Sequence, residues 1–365
     1  MFIKKILTVA TFVLCSASLQ ARTIIDHMDR TVEVPDTIQR IAVTNIFPFP
    51  SVLSVFLGGA DKIVGIHKVS KVAAEKGLLA QIYPAIKNVN TSFMKGNTVN
   101  IESLLALNPD VVFVNAGDTV AIKAIENAGI PTIAVSVNKW NYNVLTTYEA
   151  WLKLLSDVFP ERSKADKAST ISQEVAQFIN SRIATIPDNE RQRILFLFQY
   201  EPKRIVTSGK KFFGQYWADA IGAKNVAETI QAENSNAQVN MEQIYSWNPD
   251  IVFITNFTPT LPQDLFTHKY NDWSSIKAVK EQRVYKMPLG IYRSYTPSAD
   301  TPMTLLWFAK TIYPEYFKDV DLTREVKNYY KKLFNVDLTD QQVSSIYEAR
   351  SDRAEGFTGS VSARK

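Results

Sequence analysis

The stretch Asn100-Ile-Glu-Ser-Leu-Leu-Ala-Leu-Asn-Pro-Asp-Val-Val-Phe-Val-Asn115 returns 140 residues later as Asn240-Met-Glu-Gln-Ile-Tyr-Ser-Trp-Asn-Pro-Asp-Ile-Val-Phe-Ile-Thr255. Seven of the sixteen aligned positions are identical, including the Asn-Pro-Asp turn and the glutamate two residues after the first asparagine. A repeat this distant is too long for a solenoid, whose period is about 20 to 50 residues, and it indicates two copies of a whole domain. We therefore predict a chain of two lobes with its functional site between them.

Each copy lies within an alternation of short β-branched runs and helical patterns. Such runs, with little polar alternation, are typical of buried parallel strands, and glycine or proline ends the helical segments between them. This alternation predicts a doubly wound α/β fold in each half. The predicted strands are residues 40–44, 62–66, 110–114 and 132–136 in the first half and residues 193–198, 204–207, 250–254 and 283–287 in the second.

One amphipathic helix is predicted between the two halves. Apolar residues recur there at three- and four-residue steps from Ala165 to Ile183, which is the pattern of a helix with one buried face. We assign residues 22–160 to an N-terminal lobe, 161–187 to the linking helix and 188–350 to a C-terminal lobe. Residues 351–365 are predicted to be a disordered polar tail.

The first 21 residues have the layout of a cleavable secretory signal peptide. Lys4 and Lys5 precede an apolar run, which is followed by small residues typical of a cleavage site ending at Ala21. The run is too short to span a bilayer as a helix, which needs about 20 residues. The only cysteine, Cys15, lies in this segment. The exported form therefore has no disulfide and no cysteine metal site.

Enzyme motifs are missing from the sequence. It contains no nucleophile elbow, P-loop, zinc-protease motif or dinucleotide fingerprint, and His27, His67 and His268 have no histidine partner at ligand spacing. The formal net charge of +5 is not gathered into a basic stripe, which argues against a nucleic-acid binder. We predict no catalytic residue and no cofactor. An exported metal-dependent hydrolase that uses the interlobe cleft, or a surface interaction protein without a small ligand, stays open as an alternative.

Open α/β sheets bind ligands beyond the carboxyl ends of their strands, and this rule selects the candidate ligand residues. The strongest are Tyr292, Arg293 and Tyr295, because a forked guanidinium with hydroxyl groups suits an anionic or oxygen-rich ligand. The other candidates are Phe47, His67, Asn115, Trp140, Tyr200, Lys210 and Asn256. We retain only His67, which directly follows a predicted strand, as a candidate metal ligand.

The size of the ligand stays open at this point. A small oxyanion needs few donors, and Tyr292, Arg293 and Tyr295 supply several. A bulky chelate needs aromatic walls, for which the candidates are Phe47, Phe49, Trp140 and Tyr200.

Glu102 and Glu242 occupy the same position in the two copies of the repeat, near the start of a predicted helix. An acid there favours the helix dipole by about 0.3 to 1 kcal/mol, but this does not explain its duplication. Acids at equivalent places on two lobes suit a partner with two basic patches.

Several further stretches are characteristic of one family: Arg30-Thr-Val-Glu-Val-Pro35 with Arg40-Ile-Ala-Val43, the two Asn-x-Glu-x5-Asn-Pro-Asp blocks, Trp273-Ser-Ser-Ile-Lys-Ala-Val-Lys280 with Arg283-Val-Tyr285, and Leu306-Trp307-Phe-Ala-Lys310 with Tyr313-Pro314. In these residues the sequence resembles the class III periplasmic substrate-binding proteins of ABC importers. It implies two Rossmann-like lobes bridged by a single long α-helix, a ligand cleft between them, and modest closure on binding. It also implies that Glu102 and Glu242 dock arginines of the inner-membrane permease, which works with a cytoplasmic ATPase.

On this basis we expect a monomeric periplasmic protein that captures an iron-siderophore or similar metal complex. The same class includes proteins for molybdate or tungstate, haem, cobalamin and nickel chelates, so these ligands remain alternatives. No nucleic acid is expected as a partner.

Overall fold

The computed structural model describes residues 21–357. Apart from Ala21, the predicted signal peptide lies outside the described residues, and so do residues 358–365 of the predicted tail. Across the described range, no helix has both the length and the apolar character needed to cross a membrane.

The first lobe contains a four-stranded parallel sheet of order β4-β3-β7-β8 and two small antiparallel hairpins, β1-β2 and β5-β6. All four predicted strands are confirmed. The strands are β1 (Ala21–Ile25), β2 (Thr31–Pro35), β3 (Ile41–Val43), β4 (Ile63–Gly65), β5 (Met94–Lys95), β6 (Thr98–Val99), β7 (Val111–Asn115) and β8 (Thr132–Val135). The helices are α1 (Phe49–Leu57), α2 (Lys68–Lys76), α3 (Leu79–Ile82), α4 (Ile101–Ala106), α5 (Thr119–Asn127) and α6 (Val144–Val158).

The second lobe is built around a mixed sheet of order β12-β10-β9-β13-β14, with β11 paired to the start of β9. Strands β9, β13 and β14 are parallel, but β10 runs antiparallel to β9, which sequence patterning did not reveal. The strands are β9 (Arg193–Glu201), β10 (Arg204–Thr207), β11 (Lys224–Asn225), β12 (Gln238–Val239), β13 (Ile251–Ile254) and β14 (Val284–Lys286). The helices are α8 (Phe213–Ala220), α9 (Met241–Trp247), α10 (Pro262–Phe266), α11 (Lys277–Lys280), α12 (Thr301–Ile312), α13 (Leu322–Phe334) and α14 (Asp340–Tyr347).

The lobes are joined by α7 (Ala165–Ile183), a helix of 19 residues, about 28 Å long at 1.5 Å per residue. Its buried side chains divide between two hydrophobic cores. Ala168 and Ile171 lie in the core of the first lobe, Ile179 and Ile183 lie in that of the second, and Val175 contacts both. The linking helix is thus shorter than the predicted span of residues 161–187, and it is packed against both lobes along its length.

The end of the chain crosses back to the first lobe. Val326, Tyr330 and Leu333 of α13 are buried in the first-lobe core, and Ile346 of α14 joins them. Assigning all of residues 188–350 to the second lobe was therefore wrong for α13 and α14. Hydrophobic periodicity predicts that such a helix is amphipathic, but it does not show which core the apolar face covers.

The asparagines that begin the two repeat copies cap helices. The Asn100 side chain accepts a hydrogen bond from Ser103 N at 2.8 Å, and the Asn240 side chain accepts one from Gln243 N at 2.9 Å. Asparagine is a favoured N-cap because its side-chain oxygen satisfies a free N–H of the first turn. Folding therefore accounts for this pair of identical residues.

The aspartates of the Asn-Pro-Asp turns tie each β-strand to its neighbour. Asp110 Oδ2 accepts from Arg40 N at 2.8 Å, and Asp250 Oδ2 accepts from Arg193 N at 2.8 Å. Each bond fixes the start of the neighbouring parallel strand. The repeated turn is thus a structural element of both sheets.

Residues 351–357, which we call the C-terminal strap, are ordered and packed. A short 3-10 helix forms at Ser351–Ala354, and Arg353 and Phe357 are buried. The prediction of disorder from residue 351 was wrong for these seven residues. We predicted disorder from the polar composition of this segment. Instead, its backbone carbonyls accept hydrogen bonds from Arg293, and Phe357 packs on Phe257 with ring centroids 4.6 Å apart.

Candidate functional site

The two lobes meet along an aromatic interface, which we call the interlobe seam. Tyr142 of the first lobe packs edge-on against Phe212 and Phe213 with ring centroids 5.9 and 5.3 Å apart, and its hydroxyl donates to Asn234 Oδ1 at 2.7 Å. The seam consists of Phe47 and Tyr142 from the first lobe and Phe198, Phe212, Phe213, Phe257 and Tyr295 from the second.

The backbone at Tyr142 is unusual. Its φ angle is 60° and that of Asn141 is 50°, so two consecutive residues adopt the left-handed region. This conformation is uncommon for residues other than glycine, and it is rarer still for a bulky side chain. The loop after β8 thus holds the Tyr142 ring in the seam at a conformational cost.

A close backbone contact joins the lobes beside the seam. Leu78 N of the first lobe donates to Gly290 O of the second at 2.7 Å. A Cβ atom at Gly77 would lie 2.6 Å from Gly290 O, and one at Gly290 would lie 2.6 Å from the Asp300 carboxylate. Only glycine permits this approach, which holds the loop of residues 289–295 against the first lobe.

Phe47 and His67 lie at the carboxyl edge of the first sheet, as predicted, with ring centroids 4.8 Å apart. The His67 side chain caps α2: Nδ1 accepts from Val69 N at 3.0 Å, and Nε2 lies 2.9 Å from Gly96 O. Burial lowers the pKa of His67, and a neutral ring that accepts at Nδ1 donates from Nε2. Because both nitrogens are engaged, the structure does not support His67 as a metal ligand.

Buried positive charge gathers at the carboxyl edge of the second sheet. Lys286 ends β14, and its Nζ donates to the carbonyls of Thr255, Thr258 and Thr260 at 2.9, 2.6 and 2.8 Å. Burial, and then the nearby guanidiniums of Arg353 and Arg293, lower the pKa of Lys286 to about 7. We call Lys286, Arg293 and Arg353 the cation cluster.

Arg293 is completely buried. It donates from Nε to Arg353 O at 3.1 Å, from one terminal nitrogen to Glu355 O at 2.8 Å and from the other to the Tyr292 hydroxyl at 3.2 Å. Within residues 21–357, no carboxylate forms an ion pair with Arg293. A buried guanidinium balanced only by neutral acceptors is costly, so this position favours a bound anion.

The other predicted residues of this loop are also buried. The Tyr292 hydroxyl accepts from Arg293, and burial raises the pKa of Tyr292. Tyr295 lies in the seam, and its hydroxyl donates to Ser208 Oγ at 2.7 Å and accepts from Gly214 N at 3.1 Å. Tyr295 therefore orders the second lobe beside Arg293.

Buried acceptors accompany the cations. Asn256 donates from Nδ2 to the carbonyls of Met287 and Pro288 at 2.7 and 3.0 Å, so it lies directly beside the end of β14. Asn256 Oδ1 and Ser294 Oγ are buried with no hydrogen-bond partner among the described residues. The predicted candidate Asn256 thus lies at the site, and Ser294 is an addition to it.

Several predicted candidates lie elsewhere or make other contacts. Tyr200 is a core residue whose hydroxyl accepts from Trp273 Nε1 at 2.8 Å and from Asn271 Nδ2 at 2.9 Å. The Trp140 ring packs edge-on against His27 at 4.9 Å. The structure assigns Tyr200 to the core of the second lobe, and it gives Trp140 a partner in the β1–β2 turn.

Asn115 and Lys210 retain some exposure. The Asn115 side chain closes a local turn by accepting from Gly117 N at 2.9 Å, and Lys210 is exposed on the loop before α8. Phe49, suggested as part of an aromatic wall, is fully buried in the first-lobe core. None of the three contacts the cation cluster through a described hydrogen bond or ring contact.

Sequence reasoning missed Lys286, Arg353 and Tyr142. A signal existed for Lys286, because a lysine at the end of an otherwise apolar buried strand requires compensation. Tyr142 lies two residues beyond the candidate Trp140. For Arg353 we find no sequence signal, because its burial depends on how the strap packs against α14 and the loop that carries Arg293.

Glu102 and Glu242 are exposed at equivalent positions, the second residue of α4 and the second residue of α9. The capping bonds of both helices come from the preceding asparagines. Neither carboxylate forms an ion pair with another residue of the described part of the chain. Both remain accessible to a partner.

Two open surface depressions lie away from the seam. One, of about 350 Å³, is lined by residues that include Arg30 and Glu126, and the other, of about 800 Å³, by residues that include Asp321 and Asp340. Histidine, cysteine, aspartate and glutamate side chains form no group of three that could hold a metal ion anywhere in residues 21–357.

Comparison with known proteins gives concordant matches. The family model described as periplasmic binding protein matches residues 41–289. The molybdate-binding protein MolA of Haemophilus influenzae is 30% identical over 346 residues, covering 87% of this chain and 92% of MolA.

Solved structures agree with the fold. A periplasmic solute binding protein from Veillonella parvula superimposes with a TM-score of 0.78 at 28% identity, covering 90% of this chain and 97% of that one. MolA bound to molybdate gives a TM-score of 0.73 at 25% identity, covering 87% of this chain and 99% of that one.

Proposed function

The chain belongs to the periplasmic binding protein family, and from this premise we propose that it captures a tetrahedral oxyanion of the molybdate class for an ABC importer. Members of this family bind substrates for transport and are not enzymes. The observation that carries the proposal is Arg293, a buried guanidinium without a carboxylate partner among the described residues, at the edge of the sheet where open α/β folds bind ligands.

The hydrogen bonds of Arg293 support an anionic ligand. Three of its five N–H groups meet the carbonyls of Arg353 and Glu355 and the hydroxyl of Tyr292. The remaining two have no acceptor within the described residues. One of them is on each terminal nitrogen, and a guanidinium can donate such a pair to the oxygen atoms of one oxyanion.

The size of the site also favours a small ligand. Aromatic side chains already fill the seam, and Phe49 and Tyr200, two of the proposed walls for a bulky chelate, belong to the lobe cores. This is why we depart from the expectation of an iron-siderophore. The similarity to a molybdate-binding protein points the same way.

A titration of intrinsic fluorescence tests this function. We expect saturable binding of molybdate and tungstate, with no response to a ferric siderophore, haem, cobalamin or a nickel chelate. Arg293→Met should weaken molybdate binding by about 1.5–3 kcal/mol, roughly tenfold to 150-fold, if Arg293 makes a charged hydrogen bond to the ligand. Lys210→Met, a change at an exposed cation, is the matched control. A chelate that binds while molybdate does not would exclude the proposal.

Delivery to the permease is the second part of the proposed function. We propose that the protein acts as a monomer, and that the exposed carboxylates of Glu102 and Glu242 each contact a basic patch of the permease, whose transport is driven by a cytoplasmic ATPase. The double variant Glu102→Gln/Glu242→Gln should bind molybdate normally but lose stimulation of the ATPase in reconstituted vesicles. Full stimulation by the double variant would remove these residues from the interface.

A further inference from the structure

The C-terminal strap connects the first lobe to the cation cluster. Lys76 of α2 forms ion pairs with Asp352 at 3.5 Å and with Glu355 at 3.1 Å. At Gly356, a Cβ atom would lie 3.1 Å from Val72 Cβ, which shows how closely the strap follows α2. The strap therefore lies across the boundary between the lobes.

Arg353 is the third residue of the strap, and it is only 1% exposed. One terminal nitrogen donates to Ile346 O at 2.9 Å, and the other donates to Ser345 O. Its Nε is buried with no partner among the described residues. Burial, and then the charge of Arg350, lower the pKa of Arg353 to about 10, so it stays a cation at neutral pH.

Arg353 lies beside the other two cations. Its carbonyl oxygen accepts the Nε–H of Arg293, and its charge acts on the ammonium of Lys286. None of the three forms an ion pair with a carboxylate within residues 21–357. Positive charges in one neighbourhood repel one another, and the hydrogen bonds of these three side chains go only to neutral oxygen atoms. Asp264 acts on Lys286, and Glu348 and Asp352 act on Arg353, but only at longer range.

A structural role alone does not explain a cation at position 353. The two carbonyls of α14 that receive its hydrogen bonds lie in the last turn of a helix, where a cation is favoured by about 0.3–1 kcal/mol. That gain is small beside the cost of burying an unpaired charge with an unsatisfied Nε. A bound dianion would compensate this cost.

We infer that Arg353 is a specificity-determining residue of the ligand site, through which the strap supplies the third positive charge that favours a doubly charged oxyanion over a singly charged one. This inference rests on the proposed function. It identifies the ligand class more narrowly, as tetrahedral dianions. It also makes the strap part of the binding site.

The test compares two tetrahedral oxyanions of different charge, molybdate and perrhenate. Coulomb energy is proportional to ligand charge, so a lost cation that weakens molybdate binding tenfold, about 1.4 kcal/mol, should weaken perrhenate binding only about threefold. We expect this pattern for Arg353→Met. Arg353→Lys keeps the charge and should hold molybdate affinity within about threefold of the wild type.

Arg350→Met is the matched control, because Arg350 directly precedes the strap but is exposed and paired with Asp352 at 2.6 Å. It should bind both anions like the wild type. Thermal unfolding without ligand reports any loss of strap anchoring. We expect Arg353→Met to be no less stable than Arg353→Lys, since it removes an unpaired buried charge.

The outcomes separate the two proposals. If the wild type binds molybdate but Arg353→Met binds it equally well, this inference is overturned and the proposed function stands. Equal losses for both anions, or for the Met and Lys variants, would show that Arg353 only anchors the strap. If the wild type itself fails to bind molybdate, both the proposed function and this inference are refuted. Should perrhenate bind too weakly to measure, the comparison of the Met and Lys variants decides.

Discussion

Replacing Lys286 by methionine should change how the stability of the protein depends on pH. Lys286 is 5% exposed at the end of β14, and its pKa falls to about 7 because of burial and then the charges of Arg353 and Arg293. Methionine keeps a similar length and apolar stem but has no charge to titrate. The comparison therefore isolates the cost of holding an unpaired ammonium inside the second lobe.

The sign and size of the effect follow from the two pKa values. Between pH 7 and about 10.5 the unfolded chain holds the Lys286 proton and the folded protein does not, so the free energy of unfolding rises with pH across this window. The slope is at most about 1.4 kcal/mol per pH unit, and the whole shift corresponds to roughly 5 kcal/mol. Below pH 7 both states are protonated, and this contribution is constant.

Urea unfolding at pH 6.5, 8 and 9.5 measures the effect. The wild type should gain stability relative to Lys286→Met as the pH rises, whatever the absolute stability of the variant, which also loses three hydrogen bonds. Saturating molybdate should flatten the wild-type profile, because a nearby anion keeps Lys286 protonated. Parallel profiles for the two proteins without ligand would refute the idea of an uncompensated buried ammonium.

The remaining predictions concern the contact between the lobes and the loop that carries Arg293. Gly77→Ala should cost about 1–3 kcal/mol of stability and lower the melting temperature, because the new Cβ would lie 2.6 Å from Gly290 O. Gly117→Ala is the control and should have little effect, because its Cβ would lie 3.3 Å from the nearest atom. Burial raises the pKa of Asp300 to about 6, so between pH 4 and 6 the folded protein holds a proton that the unfolded chain has released. The free energy of unfolding of the wild type should therefore fall by up to about 3 kcal/mol as the pH rises from 4 to 6. Asp300→Asn should remove that fall when stability is measured by urea unfolding. A variant whose stability depends on pH as the wild type's does would show that Asp300 is not responsible.

Much of the architecture was predictable because short stretches of sequence determine it. The repeat at Asn100 and Asn240 identified two lobes, and the structure explains its asparagines and aspartates as helix caps and strand ties. The predicted strands are all present, since buried parallel strands require continuous apolar runs. The antiparallel direction of β10 was not predictable, because direction depends on pairing and not on pattern.

The candidate site was predictable only in part. Arg293, Phe47 and Asn256 were found because they follow strands, where the topology of an open sheet places ligands. Tyr200 follows the predicted strand of residues 193–198, but β9 extends to Glu201, so Tyr200 is a strand residue in the core, where Trp273 donates to its hydroxyl. Arg353 could not be found in this way, because its position depends on long-range packing of the strap.

Anomalous X-ray diffraction from crystals soaked with tungstate tests the central claim most directly, because the heavy atom locates the ligand without reference to any variant. We predict a single strong peak at the cation cluster, with tungstate oxygens within hydrogen-bond distance of the Arg293 guanidinium and close to Lys286 and Arg353. A peak on the outer surface only, or a tungstate ion between the lobes that makes no contact with Arg293, would contradict this claim.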